Sequence, residues 1–216
     1  MGMVKKVYYD SLYQGRRSRS SSPAAKASMI PANFIPQVKT WRFGPAQGDG
    51  DVKSYPLTVG GMDIVINLQG CLSPFSPSSL RDSTRKTLTL RLPQVWDTCF
   101  GEMETALIKE VSAGSTKFFD QKLAEEQVLE RYKYLSKKTE EYPRNVRVKL
   151  NTSGFYACRY WDGSRARIEA PVDHSGLNFN TVLRIRALWV SAEAWGLVCD
   201  CTDLQLLENT QVECPF

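Results

Sequence analysis

Apolar and cationic residues alternate along the last third of the chain. Val146-Arg147-Val148-Lys149-Leu150 is followed by Arg159-Tyr160-Trp161, then Arg165-Ala166-Arg167-Ile168, then Leu183-Arg184-Ile185-Arg186-Ala187. Side chains on a strand alternate between faces, so a period of two sends Val, Ile and Leu to one side and Arg and Lys to the other. Four such segments predict a sheet with one buried face and one cationic face.

The rest of the pattern brackets this region. Val38–Phe43 reads as a first strand, ended by Gly44-Pro45 and a Gly/Asp loop at Gln47–Asp51. Met62–Leu68 follows Gly60-Gly61 as a second strand. Lys86–Leu92 alternates Thr and Leu as a third, stopped by Pro93. The period then changes. Met103, Leu107 and Val111 are four apart and predict a helix over 102–112. Ser115 can cap a second helix running to about Lys138, and Pro143 closes the block. Strands return at 146–151, 155–161, 165–170, 182–190 and 195–207, with Asp162-Gly163 as a hairpin turn. The expected fold class is α+β: a mainly antiparallel, barrel-like sheet with a helical insertion at about 102–138.

Charge sharpens the picture through its distribution. The net charge is +5, but residues 1–40 hold seven Lys or Arg against one acid, Asp10. Residues 144–190 hold eight against three, and 191–216 hold five acids and no cation. A basic arm, a basic sheet and an acidic end suit a protein that binds a polyanion. No apolar run approaches the ~18–20 residues that span a bilayer, and the N-terminus lacks a signal-peptide hydrophobic region. The expected location is therefore intracellular, with no membrane partner. The six cysteines show no framework spacing and read as small buried hydrophobes.

Catalytic chemistry finds little support. His174 is the single histidine, and no Walker loop, nucleophile elbow or dinucleotide fingerprint is present. Cys199 and Cys201 could ligate a metal with Cys158 and His174, but alternate cysteines on one strand are more simply two residues of one buried face. No enzyme, no cofactor and no metal are expected.

Several stretches resemble single-stranded DNA-binding proteins of the oligonucleotide-binding (OB) fold found in certain phages and large DNA viruses. Leu88-Thr89-Leu90-Arg91-Leu92-Pro93 with Cys99-Phe100-Gly101 resembles that group's strand–Pro…Phe-Gly segment. Tyr142-Pro143-Arg144-Asn145-Val146-Arg147-Val148-Lys149-Leu150 resembles its lead into the later strands. Ile185–Val190, Trp195-Gly196-Leu197 and Leu204-Gln205-Leu206 resemble its closing hairpin, and the chain ends in Pro215-Phe216, an aromatic terminus shared with single-strand binders. The resemblance spans about residues 38–216. It implies an OB-like binding domain at 35–208 between a flexible basic arm, 1–34, and a short tail, 209–216. The implied function is non-catalytic coating of unwound template in replication, recombination or repair, at the site of genome replication in the host cytoplasm or nucleus.

The candidate contacts follow from what a single strand offers, a line of phosphates and unpaired bases. Arg147, Lys149, Arg165, Arg167, Arg184 and Arg186 are expected to face the phosphates. Trp41 and Phe43, flanking Arg42, and Tyr160 and Trp161, beside Arg159, are expected to stack bases. Arg16, Arg17 and Arg19 would add auxiliary phosphate contacts from the arm. Glu213 and Phe216 would dock replication proteins or occupy the groove. The expected partner is single-stranded DNA, with RNA and an oligomeric state left open. A capsid or nucleocapsid protein with a genome-facing Arg-rich arm is the alternative, and it would require a jelly roll of eight strands.

Overall fold

The computed structural model describes residues 37–48, 50–79, 84–140 and 142–207. The arm with Arg16, Arg17 and Arg19, and the tail with Glu213 and Phe216, lie outside the described residues.

After a short 3-10 turn at Val38–Thr40, the strands are β1 (Trp41–Phe43), β2 (Lys53–Val59), β3 (Ile64–Leu72) and β4 (Arg85–Arg91). Three helices follow: α1 (Val95–Ala113), α2 (Ser115–Phe119) and α3 (Glu125–Arg131). The chain then returns to strands: β5 (Tyr132–Lys133), β6 (Ser136–Lys137), β7 (Asn145–Asn151), β8 (Arg159–Trp161), β9 (Arg167–Ile168), β10 (Asn178–Val190) and β11 (Trp195–Leu206).

These strands form one mixed sheet whose centre closes on itself. β3 pairs with β4, β4 with β7, β7 with β11, β11 with β10, and β10 with β3. The β3–β4 contact is the weakest link, a single residue pair, Leu72 and Arg91. Most pairings are antiparallel, as expected, but the sheet is mixed. β11 runs parallel to β5, β7 and β8; the chain leaves β7, passes through β10 on the far side of β11, and then turns back into β11 beside β7. Two long strands, β10 and β11, hold the assembly together through eleven paired positions. The alternation seen in the sequence is present. Leu88, Leu90, Val146, Val148, Leu150, Leu183, Ile185, Cys199 and Cys201 all point into one core.

The helical insertion differs from its expected limits. α1 begins at Val95, earlier than the 3.6-residue pattern suggested, and buries Trp96, Phe100, Met103, Leu107, Ile108 and Val111 along one stripe. The second helix stops at Phe119, where Asp120 takes a left-handed conformation with φ 57°. Tyr132–Lys133 and Ser136–Lys137 are short strands because Tyr132 pairs beside Trp195 and Ser136 beside Val146. Tertiary pairing overrode local helix propensity there. β2 was also unforeseen, since Pro56 and the flanking glycines disguise it. The strand expected at 155–161 survives only as Arg159–Trp161.

Glu104 fastens the insertion to the ring. It is a buried carboxylate on α1 that accepts hydrogen bonds from the Tyr132 hydroxyl (2.8 Å), Leu135 N–H (2.9 Å), Ser136 N–H (3.2 Å) and the Ser136 hydroxyl. Arg144 completes the cluster, bonding Ser136 Oγ at 2.9 Å, Glu104 at 3.4 Å and Asp97 at 2.8 Å. A side chain at Gly101 would crowd the Arg144 guanidinium, at 3.2 Å from its Cβ. Lys138 and Arg144 together hold the Asp97 carboxyl below its ordinary range.

His174 belongs to the core. Its Nε2 lies 2.9 Å from the Tyr160 hydroxyl, and its ring lies against Phe179. Burial pushes its imidazole pKa down; Asp173 opposes this and Lys86 reinforces it. A depressed folded pKa means that the unfolded chain takes up the proton first as pH falls. Stability is thus full above the unperturbed histidine value of ~6.5 and declines below it. The melting temperature should fall between pH 7 and pH 5.5, and His174→Gln should flatten that slope. An unchanged slope in the variant would assign the response to carboxylates instead.

Candidate nucleic-acid interface

β4 and β7 lie side by side in register, and their outward positions form a polar ladder. Arg85 faces Asn151, Thr87 faces Lys149, Thr89 faces Arg147, and Arg91 faces Asn145. Leu88, Leu90, Val146, Val148 and Leu150 from the same strands fill the core, which fixes the eight ladder positions outward. The ladder holds four cations and no acid. Lys149 donates to Thr87 Oγ1 at 3.2 Å, and Arg91 lies 5.0 Å over the Tyr142 ring. Among the described residues, Arg91, Arg147 and Lys149 have no carboxylate partner. Like charges on neighbouring strands repel, so the bare ladder is held at a cost that an anion would relieve.

Exposed rings flank both ends. Tyr142 precedes β7 beside Arg91. At the other end the chain leaves Asn151 and returns through Cys158 N–H to Asn151 O (2.8 Å), closing a compact loop. Thr152 N–H ties the loop's start to Thr84 O, next to Arg85. At its tip Phe155 and Tyr156 are 94% and 67% exposed and meet edge to face, 5.1 Å apart. Large rings left in water without packing suit base stacking. Phe155 and Tyr156 fall within the strand expected at 155–161, but they lie in a turn and are not among the expected contacts. Their hydrophobic neighbourhood gave no signal of a loop beyond Ser153-Gly154.

The expected stackers divide by face. Trp41 is 4% exposed and Tyr160 is 7% exposed, so neither ring is open to a base. The reason is the strand period itself. Trp41 and Phe43 share the inward face and leave only Arg42 outside; Phe43 packs 5.1 Å from Phe118 with Lys117 above it. Tyr160 and Trp161 are adjacent, so one faces in while the other faces out. Trp161 is half-buried, its Nε1–H fixed on Asp203 at 2.9 Å.

The expected cations are outside the core, but their partners differ. Arg184 bonds Asp63 at 2.8 Å, Arg186 bonds Asp200 at 3.0 Å, and Arg159 bonds Asp203 at 2.8 Å. Arg85 shares Asp200 at 3.2 Å. Each of these must compete with a carboxylate before it can hold a phosphate. Arg42, Arg147, Lys149, Arg165 and Arg167 have no carboxylate partner among the described residues. Arg165 lies in the β8–β9 turn and Arg167 starts β9, so neither belongs to the ladder. No cluster of three or more His, Cys, Asp or Glu arranged to hold a metal occurs among the described residues, and none of their helices is long and apolar enough to cross a membrane.

No family model matches the chain, and no curated protein matches it. Its structure is similar to those of phage single-stranded DNA-binding proteins. One is the protein from bacteriophage Enc34 in complex with ssDNA, with 12% identity and a TM-score of 0.43 over 77% of this chain and 95% of that one. A C-terminal truncation of the same protein gives 12% identity and a TM-score of 0.42, over 76% and 94%. The third is gp2.5, encoded by bacteriophage T7, with 13% identity and a TM-score of 0.43 over 67% and 86%.

Proposed function

We propose that the protein binds single-stranded DNA without catalysis and coats unwound template during replication, recombination or repair inside the cell. The five-strand ring, taken as β3-β4-β7-β11-β10 with one parallel pairing between β7 and β11, supports an OB-like reading of the fold. The observation that carries the reading is the acid-free cationic ladder on β4 and β7, with exposed rings at both ends. Arg and Lys neutralise phosphates and release counterions, and rings stack bases whatever their sequence. Acidic substrates of other kinds would not call for stacking rings. The paired cations Arg159, Arg184 and Arg186 take a secondary part, and the tail at 209–216 is a docking segment for replication proteins.

The test is fluorescence anisotropy with single-stranded DNA, duplex DNA and RNA of equal length across a salt series. Single strands should bind far more tightly than duplex, and affinity should fall steeply with salt. Equal or stronger duplex binding overturns the reading. Phe155→Ala with Tyr156→Ala should cost about 1–3 kcal/mol of single-strand affinity per stacked base and leave the melting temperature unchanged, because neither ring is packed. If this variant melts early, the rings are structural.

A further inference from the structure

A second feature lies away from the ladder. The outer faces of β3, β10 and β11 and the β8–β9 hairpin enclose a groove of about 440 Å³, lined by Asn67, Gln69, Trp161, Arg165, Asn180 and Gln205 among others. That volume falls in the ~300–1,000 Å³ range of small-ligand sites. We propose that this groove is a nucleobase subsite, holding one unpaired base of the bound strand against Trp161. The proposal rests on the single-strand reading above.

Three observations support it. The first is a fixed platform. Trp161 is held at Nε1 by Asp203, and Arg159 lies 5.9 Å over its ring while bonded to the same carboxylate. A ring locked in this way loses little freedom when a base stacks on it. The second is a set of oriented amides. Gly70 N–H donates to Asn180 Oδ1, Asn180 Nδ2 donates to Gln205 Oε1, and Gln205 Nε2 donates to the Asp162 carbonyl. This chain of bonds settles which end of each amide is which and braces the groove. Asn67 and Gln69 stand beside it on the same outward face of β3, exposed and without hydrogen-bond partners among the described residues. A free amide offers a donor and an acceptor side by side, which matches the edge of a base.

The third observation is strain. The turn between β8 and β9 has three loop residues, closed by Arg165 N–H to Asp162 O (3.0 Å) and Asp162 N–H to Ala166 O (2.9 Å). Such loops put glycine in the left-handed third position. Here Gly163 is at the first position, and Arg165 occupies the third with φ 69°. A long cationic side chain is thus kept where glycine would fit better, and it lines the groove. Strain retained at a ligand-facing position points to a functional demand on that side chain. Arg165 would hold the phosphate or the exposed face of the base.

The experiment uses the full chain bound to oligo(dT) carrying 5-iodouracil, irradiated and mapped by mass spectrometry, with affinities by anisotropy. A crosslink at Trp161 is expected, and Trp161→Phe should keep a crosslink at that position. Trp161→Ala should lose it and bind about 5- to 150-fold more weakly, the range of one lost stacked base. Arg165→Gly should move two readouts in opposite directions, raising the melting temperature by about 2–4 °C while weakening binding. Asn67→Ala with Gln69→Ala, at exposed positions, tests the amides without threatening the fold. Oligonucleotide bound normally, with no crosslink at Trp161 and all variants within twofold of wild type, overturns the subsite and leaves the single-strand reading intact. No binding of any single strand overturns both.

Discussion

Replacing Arg147 and Lys149 together with alanine should weaken single-strand binding about tenfold or more at ~0.15 M salt and lower the salt slope by about 1.4, since each phosphate contact on a single strand contributes about 0.7. These two cations sit on one outward face of β7, opposite Thr89 and Thr87, and neither makes an ion pair among the described residues; Asp200, beside Lys149 on β11, is bonded to Arg85 and Arg186 instead. The fold should not suffer. Exposed charge removal usually changes stability by less than about 0.5 kcal/mol, and relief of repulsion along the ladder should move it slightly upward. Arg184→Ala with Arg186→Ala is the matched control. Those guanidiniums are bonded to Asp63 and Asp200, so their loss also frees a carboxylate and should change the salt slope less. If the two double variants behave alike, the phosphate track is not confined to β4 and β7. If the Arg147/Lys149 variant binds as wild type, the ladder is not the track.

Glu104→Ala should be the most destabilising single change, costing about 3–5 kcal/mol in a denaturant titration. The substitution strands several donors at once: Leu135 N–H, Ser136 N–H and the Tyr132 hydroxyl lose their acceptor, and the half of Arg144 that faces Glu104 loses its counter-charge. Domains are typically stable by only about 5–15 kcal/mol, so such a loss would be a large share of the total. Glu104→Gln should be milder, because an amide oxygen still accepts from the backbone donors while its NH₂ meets Arg144 unfavourably. The effect should appear in folding and not in the affinity of the folded fraction, since Glu104 lies in the core and away from the ladder. A loss below about 1 kcal/mol would mean that solvent reaches the cluster and that the insertion is held mainly by its apolar stripe.

Both expectations depend on features of very different visibility. Arg147 and Lys149 were legible from the sequence because strand alternation is local: Val146, Val148 and Leu150 must be buried, so the residues between them must not be. The turn between β10 and β11 and the inward cysteines were legible for the same reason, although β10 begins at Asn178 and not at 182. Glu104 was not, because an acid inside an amphipathic helix ordinarily faces water. Its burial follows from Tyr132, Ser136 and Arg144 arriving from more than twenty-five residues away. The helix limits at Val95 and Phe119 were missed on similar grounds, with strand pairing at Tyr132 and Ser136 decided by β11 and β7.

The rings show the same division. The sequence could place aromatic residues among cations, and on that basis Trp41 and Tyr160 were expected to stack. Which side of a strand a ring occupies depends on where the core lies, and only the closed ring of β3, β4, β7, β11 and β10 supplies that. It buries Trp41 and Tyr160, holds Trp161 at the edge of a groove, and leaves Phe155 and Tyr156 in water. By itself, then, the sequence determined the alternation, the cationic outer face and the α+β plan, since these are set by neighbours along the chain. The tertiary structure alone decided which cations stay free of carboxylates, which rings reach solvent and where Glu104 and Arg165 stand, since each depends on contacts between strands that are distant in the sequence.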